Sequence, residues 1–207
     1  MKRKLILTAT LLCVTLLVPL SACSQNRDFQ MDGTVLVKYN GNAENVTIPE
    51  SVTIIGDSAF IDNDSLTSLT IPEGVTAIGS WVFSECYNLT TITIPSSVVS
   101  IGEAAFDRCV SLTSVTIPDG VTTIGDFTFH DCRSLTSVSL PTSVVSIGEW
   151  AFRDCGSLTD ITIPTGVTFI GDNAFEWCTS LASVTISRRT TIGKDAFPAT
   201  ARITYSD

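Results

Sequence analysis

Apolar and polar positions recur along this chain with a period of 23 residues. Each repeat contains an Ile-Gly pair, a phenylalanine four residues after the glycine and a leucine ten residues after it. The repeat glycines are Gly56, Gly79, Gly102, Gly125, Gly148 and Gly171. A fixed period of this length predicts a solenoid, in which stacked copies of one small unit bury each other's apolar faces.

The repeat that follows Gly102 shows the elements within one turn. Val115 and Ile117 alternate with polar residues, which predicts a short strand with one buried face. Pro118 ends that strand, and Val121–Ile124 predicts a second one. Ala105, Phe106 and Cys109 have the spacing of the buried stripe of one helical turn. The pattern therefore predicts a β-rich α/β solenoid with two short strands and one helical turn in each 23-residue repeat.

The segment C-x-x-L-x-x-[VI]-x-[IL]-P of each repeat resembles a leucine-rich repeat. With Ala-Phe before the cysteine and V-x-x-I-G after the proline, it resembles the BspA-like subclass of bacterial leucine-rich repeats over residues 33–205. The asparagine ladder of the general leucine-rich pattern is replaced by glycine or serine, so we expect a flatter and more β-rich solenoid. The resemblance implies a surface protein that adheres to host or extracellular-matrix partners.

The pattern divides the chain into five segments. Residues 1–22 read as a lipoprotein signal peptide, and residues 23–30 as a lipid-anchored tether. Residues 31–54 are predicted to form an N-terminal cap hairpin, at Asp32–Gly41, and the strand that leads into the solenoid. Six repeats fill residues 55–192, and residues 193–207 form a partial repeat that caps the C-terminal end.

The N-terminus has the features of an export signal. Lys2, Arg3 and Lys4 precede an apolar stretch of 16 residues, Leu5–Leu20. A retained membrane anchor is the alternative, but a spanning helix needs about 20 apolar residues. Leu20-Ser-Ala-Cys23 resembles the bacterial lipobox, which implies acylation at Cys23 and attachment to the bacterial envelope or cell surface.

The net charge limits the possible partners. The formal net charge is −9, from 12 basic and 21 acidic residues. Cleavage before Cys23 would remove three basic residues and leave 9 against 21, a net charge of −12. Because such a surface repels phosphates, we expect no nucleic-acid partner, and membrane attachment would depend on the acyl chains.

The repeat cysteines have two interpretations. Cys86, Cys109, Cys132, Cys155 and Cys178 form a ladder with about 5 Å between rungs, and an exported protein could oxidise neighbouring thiols. The favoured interpretation is a column of small buried thiols, because each cysteine shares the inward stripe with Ala and Phe. We predict no metal site and no cofactor, since zinc needs four convergent ligands.

No residue pattern predicts catalysis. His130 is the only histidine, and we expect its side chain to point outward while Cys132 points inward, which would prevent a Cys/His nucleophile pair. No base accompanies the many serines and threonines. We therefore predict no catalytic residue and no enzymatic activity.

Positions that vary between repeats are the candidates for recognition. Two residues after the repeat glycine stand Trp81, Phe127 and Trp150, alongside Ser58, Ala104 and Asn173. Four residues further on, the chain is mostly acidic. The three aromatic residues are predicted to line one side of the rod over about 15 Å and to form a partner-binding patch. Alternatively, they cover the edge of the core, and a flat Thr/Ser strand face is the docking surface.

Three functions remain open at this point. The first is a surface lipoprotein that binds a protein or glycan without catalysis. The second is a periplasmic or envelope scaffold for a neighbouring envelope protein, which a short tether favours. The third, a hydrolase, has no residues to support it.

Overall fold

Two columns of short parallel strands build the molecule. A computed structural model describes residues 27–206, and within them the chain winds into a solenoid of about seven turns. The strands, in chain order, are β1 (Phe29–Asp32), β2 (Val35–Tyr39), β3 (Asn45–Thr47), β4 (Ile54–Ile55), β5 (Ser68–Thr70), β6 (Ala77–Ile78), β7 (Thr91–Thr93), β8 (Ser100–Ile101), β9 (Ser114–Thr116), β10 (Thr123–Ile124), β11 (Ser137–Ser139), β12 (Ser146–Ile147), β13 (Asp160–Ile161), β14 (Phe169–Ile170), β15 (Ser183–Ser187), β16 (Thr191–Ile192) and β17 (Arg202–Ser206).

The strands pair one repeat apart. Strands β3, β5, β7, β9, β11 and β13 form the first sheet, in which Leu69 pairs with Ile92. The second column consists of β2, β4, β6 and β8, followed by β10, β12, β14 and β16. At the end of this column Phe169 pairs with Thr191, because the last repeat is one residue shorter. The predicted two strands per 23-residue turn are present.

The segment after each repeat glycine forms overlapping turns, and the predicted helical turn is wrong. In a helix each N–H would bind within its own segment. Here the N–H groups of Ser58, Phe60 and Asp62 donate to carbonyls of the next repeat, each at 2.9 Å, whereas those of Ala59 and Ile61 bind within the segment. The backbone is left-handed at the second and sixth residues after the glycine, with φ of +57° at Ser58 and +58° at Asp62, which is incompatible with a continuous helix.

A stacked column of aromatic rings forms the centre of the core. Phe106 and Phe129 are completely buried, with ring centroids 5.2 Å apart and planes only 4° from parallel. The column continues along the solenoid through the equivalent residues Phe60, Phe83, Phe152 and Phe175. Tyr39 stacks on its N-terminal end and Phe197 on its C-terminal end. Neighbouring repeats therefore stabilise each other through continuous apolar contact.

Close approach between turns explains the glycine in several of the repeats. A Cβ atom at Gly102 would lie 2.5 Å from the carbonyl carbon of Gly79, and one at Gly171 would lie 2.5 Å from the amide nitrogen of Glu149. Real Cβ atoms do not approach backbone so closely. At these two corners the turns can stack at strand spacing because no side chain intervenes, whereas a Cβ atom at Gly125 would have its nearest neighbours at 3.4 Å.

The ends of the solenoid differ from its middle. β1 and β2 form an antiparallel hairpin in which Phe29 pairs with Tyr39, so the hairpin begins three residues before the predicted Asp32. β2 then pairs with β4 in parallel. At the other end β17 pairs with β15 in parallel. Within residues 27–206 there is no helix long and apolar enough to cross a bilayer.

Candidate partner-binding surface

Three rows of variable side chains run along one side of the solenoid. The aromatic row holds the second residue after each repeat glycine: Ser58, Trp81, Ala104, Phe127, Trp150 and Asn173. The central row holds the fifth residue: Ile61, Ser84, Asp107, His130, Arg153 and Glu176. The acidic row holds the sixth residue: Asp62, Glu85, Arg108, Asp131, Asp154 and Trp177. Contacts between the rows place all three on one surface.

Every residue of the aromatic and acidic rows has positive φ, between +52° and +62°. Gly, Asn and Asp adopt this conformation readily, whereas bulky residues do so rarely and at a backbone cost of about 1–2 kcal/mol. The chain has three tryptophans, Trp81, Trp150 and Trp177, and all three occupy such positions, as does Phe127. Backbone preference does not explain the presence of aromatic residues at these positions.

Trp81 is an exposed member of the aromatic row. The residue is 42% exposed, which is high for a tryptophan. Ala104, the next residue of the row, is completely buried and separates Trp81 from Phe127 by two repeats. The predicted patch is therefore interrupted, and Trp81 stands apart from the other two aromatic residues.

Phe127 and Trp150 form a cluster with two basic side chains. Their ring centroids are 5.5 Å apart, and the His130 ring meets the edge of Phe127 at 5.8 Å. The guanidinium of Arg153 lies 4.1 Å from the centre of the Trp150 ring, within range of a cation–π interaction. Arg153 Nε also donates to Glu176 at 2.7 Å. Both aromatic residues are half-buried, so this cluster is a packed, preorganised part of the surface.

Polar contacts connect successive repeats along the central row. Asp107 is 7% exposed, and its carboxylate lies 2.7 Å from Nδ1 of His130 and accepts from Ser84 Oγ at 3.4 Å. Nε2 of His130 lies 3.8 Å from an oxygen of Asp154. Because the nearly buried Asp107 carboxylate has partners in both neighbouring repeats, this row holds the surface in register.

The acidic row is partly neutralised by Arg108, which belongs to the row, and by Arg133, which lies two residues after Asp131 in the sequence. Arg108 contacts Glu85 at 2.7 Å, and Tyr87 Oη donates to the same carboxylate at 2.6 Å. The hydrogen bond from Tyr87, together with the charge of Arg108, lowers the pKa of Glu85. Arg133 similarly contacts Asp131 at 2.6 Å. These pairs are largely solvent-exposed and contribute little to stability.

The alternative docking surface is the outer face of the first sheet. Its side chains are small and almost uncharged, and Thr70 pairs in register with Thr93 and Thr47. Asp160 is the exception within this face. The face is flat and contains no large aromatic side chain to anchor a partner.

The repeat cysteines are packed thiols. All five are free and completely buried. Each Sγ donates to the phenylalanine carbonyl of the preceding repeat, for example Cys109 to Phe83 at 3.1 Å and Cys132 to Phe106 at 3.2 Å. Burial raises the pKa of Cys86 to about 12 and raises those of Cys109, Cys132 and Cys155 as well. Raised pKa values leave these thiols protonated and unreactive at neutral pH.

The structure does not bring His130 and Cys132 together. His130 contacts Asp107, whereas the thiol of Cys132 points to a core carbonyl. Within residues 27–206, no group of three or more His, Cys, Asp or Glu side chains is arranged to hold a metal ion. The predicted lipidation residue Cys23 lies outside the described residues.

Two features of this surface were not predicted from the sequence. The first is Trp177, which occupies a mostly acidic row and is 55% exposed, more than Trp81. The central row was not considered, although Asp107/His130 and Arg153/Glu176 are 23 residues apart. An acidic and a basic residue type 23 positions apart were the signal in the sequence, because stacking places equivalent residues about 5 Å from each other.

Known proteins share this repeat and this fold. A family model described as BspA type leucine rich repeat region matches residues 37–115 and 99–206, with six copies. The crystal structure of a T. pallidum leucine-rich repeat protein is 30% identical, with a TM-score of 0.71, over 86% of this chain and 84% of that one. A leucine-rich repeat protein from Eubacterium ventriosum is 27% identical, with a TM-score of 0.76, over 86% of this chain and 49% of that one.

A leucine rich cell surface protein from Faecalibacterium prausnitzii is 28% identical, with a TM-score of 0.50, over 86% of this chain and 74% of that one. No curated protein matches the sequence. The family match extends over most of the described residues and agrees with the repeat motif and with the solenoid. The chain belongs to the BspA-type leucine-rich repeat family.

Proposed function

We propose that this protein is an exported lipoprotein whose solenoid binds a protein partner at the cell surface and catalyses no reaction. The observation that carries the proposal is the placement of Trp81, Phe127 and Trp150 at left-handed backbone positions. An aromatic side chain at such a position is retained against a backbone cost, and exposed or half-buried aromatic residues are the usual energetic anchors of protein interfaces. The cell-surface description of the Faecalibacterium prausnitzii relative supports the proposed location.

The aromatic row is tested by replacing these three residues with asparagine, which tolerates positive φ. Partners are first captured on the immobilised mature protein from host-matrix and envelope extracts and identified by mass spectrometry. The triple variant is expected to keep its circular dichroism spectrum and to lose binding of the identified partner. Normal binding by the folded triple variant would contradict the role of the aromatic row.

A matched variant tests the alternative surface. Thr70→Lys, Thr93→Lys and Thr116→Lys place charges along the outer face of the first sheet, where these residues are exposed. If the aromatic row is the binding surface, this variant retains partner binding. If the lysine variant loses partner binding and the triple aromatic variant keeps it, the binding site lies on the Thr/Ser face.

Membrane attachment is tested at Cys23. The Cys23→Ala variant should no longer incorporate radiolabelled palmitate and should leave the membrane fraction. Retained palmitate labelling would refute acylation at this residue. A matched Cys178→Ala variant, altered in the buried thiol column, should remain labelled.

The envelope scaffold remains a second candidate because the distance from Cys23 to the folded region is short. β1 begins at Phe29, which leaves residues 24–28 as the connection. Five extended residues span at most about 18 Å, so an anchored domain would stay close to the bilayer. Protease treatment of intact cells separates the two candidates, since it should release an outward-facing domain and spare one that faces the periplasm.

A further inference from the structure

An open cleft lies at the C-terminal end of the surface, beyond the aromatic row. Its volume is about 500 Å³. Its walls include Glu176, Trp177, Thr179, Asp195, Phe197 and Thr200. Trp177 is 55% exposed, and the Asp195 side chain is 65% exposed. The cleft thus combines an aromatic face with two carboxylates.

The cleft forms where the backbone hydrogen bonds between successive repeats end. In earlier repeats the N–H of the acidic-row residue donates to the next central-row carbonyl, as Asp154 does to Glu176 at 2.9 Å. Pro198 occupies the following central-row position, and a turn closed by Ala201 and Pro198 leads the chain into β17. Among the hydrogen bonds of residues 27–206, none is donated by the Trp177 N–H.

The same protein shows what an aromatic ring beside carboxylates binds elsewhere on this surface. Arg153 lies over Trp150 at 4.1 Å while its Nε donates to Glu176. Arg108 is held by Glu85, whose other oxygen accepts from Tyr87. A guanidinium lies over the aromatic ring at Trp150, whereas Arg108 is paired with the Glu85 carboxylate. The central-row residue of the repeat that follows Trp177 is Pro198, which supplies no guanidinium.

The carboxylates of the cleft are only partly neutralised by basic side chains of the protein itself. Lys194 approaches Asp195 only to 3.9 Å, and its side chain is 82% exposed, so it neutralises Asp195 weakly. Arg153 binds one oxygen of Glu176, Oε2. The two carboxylates that line the cleft with Trp177 disfavour an anionic ligand and favour a cation over the indole ring.

We propose that this cleft binds an arginine side chain from a basic segment of a partner protein. The guanidinium stacks on the Trp177 indole and pairs with Asp195, reproducing the arrangement of Arg153 on Trp150. The inference rests on the proposed partner-binding function and specifies the chemistry that one part of the partner must have. It also adds a fourth aromatic anchor to the surface.

The test follows the three indole N–H resonances of the ¹⁵N-labelled protein by NMR. The probe is the peptide acetyl-Gly-Arg-Gly-amide, and the isosteric neutral control carries citrulline in place of arginine. A saturable shift of the Trp177 resonance is expected with the arginine peptide, with a dissociation constant of about 1 mM or weaker. The citrulline peptide should shift it little, and added salt should weaken the arginine response.

Two variants locate the response. Trp177→Asn should abolish it, and Asp195→Asn should weaken it at least about fivefold, with both substitutions compatible with the positive φ at these positions. The matched control Trp81→Asn should leave it unchanged. An equal response to citrulline, equal shifts at all three tryptophans, or a stronger response to methyl glucoside would each overturn the proposal.

The outcome is separable from that of the proposed function. If the arginine peptide fails to bind while the triple aromatic variant loses its partner, only the cleft inference is wrong. If the peptide binds at Trp177 but no partner is captured by the mature protein, the cleft stands and the partner-binding function fails.

Discussion

Ala104 and Ala105 provide a direct measurement of the backbone cost on which the functional argument depends. Both residues are completely buried, and they are adjacent in the same repeat. Ala104 has φ of +52°, whereas Ala105 is not among the residues with positive φ. The same substitution, alanine to glycine, therefore removes one completely buried methyl group at each position, from the outward aromatic row at Ala104 and from the apolar core at Ala105, and the two positions differ in backbone conformation.

The expected magnitudes follow from three contributions. Each substitution loses about 0.8 kcal/mol of methyl burial and about 0.4–1 kcal/mol through the greater freedom of glycine in the unfolded chain. Ala105→Gly should therefore destabilise the protein by about 1.5 kcal/mol. Ala104→Gly also relieves about 1–2 kcal/mol of left-handed strain, so its net effect should be near zero.

Equilibrium urea unfolding, followed by circular dichroism, measures this difference. In a thermal scan Ala105→Gly should lower the melting temperature by about 3–6 °C, while Ala104→Gly should leave it nearly unchanged. Equal losses would mean that the left-handed positions carry no strain. In that case the placement of three tryptophans there would no longer indicate recognition.

Further predictions concern the core and its thiols. Phe129→Ala should lower the free energy of unfolding by about 3–5 kcal/mol, because Phe129 is buried and stacked on both faces. Phe127 is half-buried, so Phe127→Ala should lower it by about 1 kcal/mol or less. Equal losses in urea unfolding would mean that the inward and outward faces have been assigned wrongly. All five repeat thiols should resist alkylation in the native protein and react in urea, and a Cys109–Cys132 bridge found by mass spectrometry would contradict this. Stability should fall above pH about 9, because unfolded thiols then ionise while native Cys86, with its pKa raised to about 12, keeps its proton. The unfolded state then binds fewer protons, so each such thiol lowers the free energy of unfolding by up to about 1.4 kcal/mol per pH unit, and Cys86→Ala should flatten this dependence.

The architecture was predictable because inward positions obey one simple constraint. Stacking places equivalent residues on top of one another, so any apolar residue repeated every 23 positions forms a buried column. Phe106, Cys109 and Leu112 are each completely buried, as the pattern predicts. Neither the strands nor the core required any knowledge of distant contacts, since each turn contacts its neighbours alone.

The helical turn was predicted wrongly because burial does not determine backbone conformation. Ala105, Phe106 and Cys109 are buried at the spacing of a helix, but a helix would use its N–H groups internally and leave none for the next repeat. A better signal was present at the acidic row and its neighbours. Asp62, Asp131 and Asn173 belong to residue types that tolerate left-handed backbone, and they recur at positions that prove to have positive φ.

The candidate surface was predicted only in part, because its contacts depend on which residues are neighbours in particular repeats. Trp150 was identified from its row alone, but its contact with Arg153 depends on the path of the turns between them. The cleft beside Trp177 depends on Pro198, which ends the ladder. Such features arise where the repeat is broken, and periodicity carries no information about them.

The inward and outward positions therefore have different roles. The inward columns are nearly identical in every turn, so exchanging one central repeat for another should preserve stability, which depends on the number of stacked turns. The outward rows change from turn to turn: Trp81 stands alone, Trp150 is covered by Arg153, and Trp177 borders an open cleft. Because each anchor has a different setting, exchanging repeats would move these anchors relative to one another along the rod. A partner that contacts several of these anchors would then bind with lower affinity, although the free energy of unfolding would be unchanged. Loss of binding without loss of stability distinguishes a recognition surface from side chains that only cover the core.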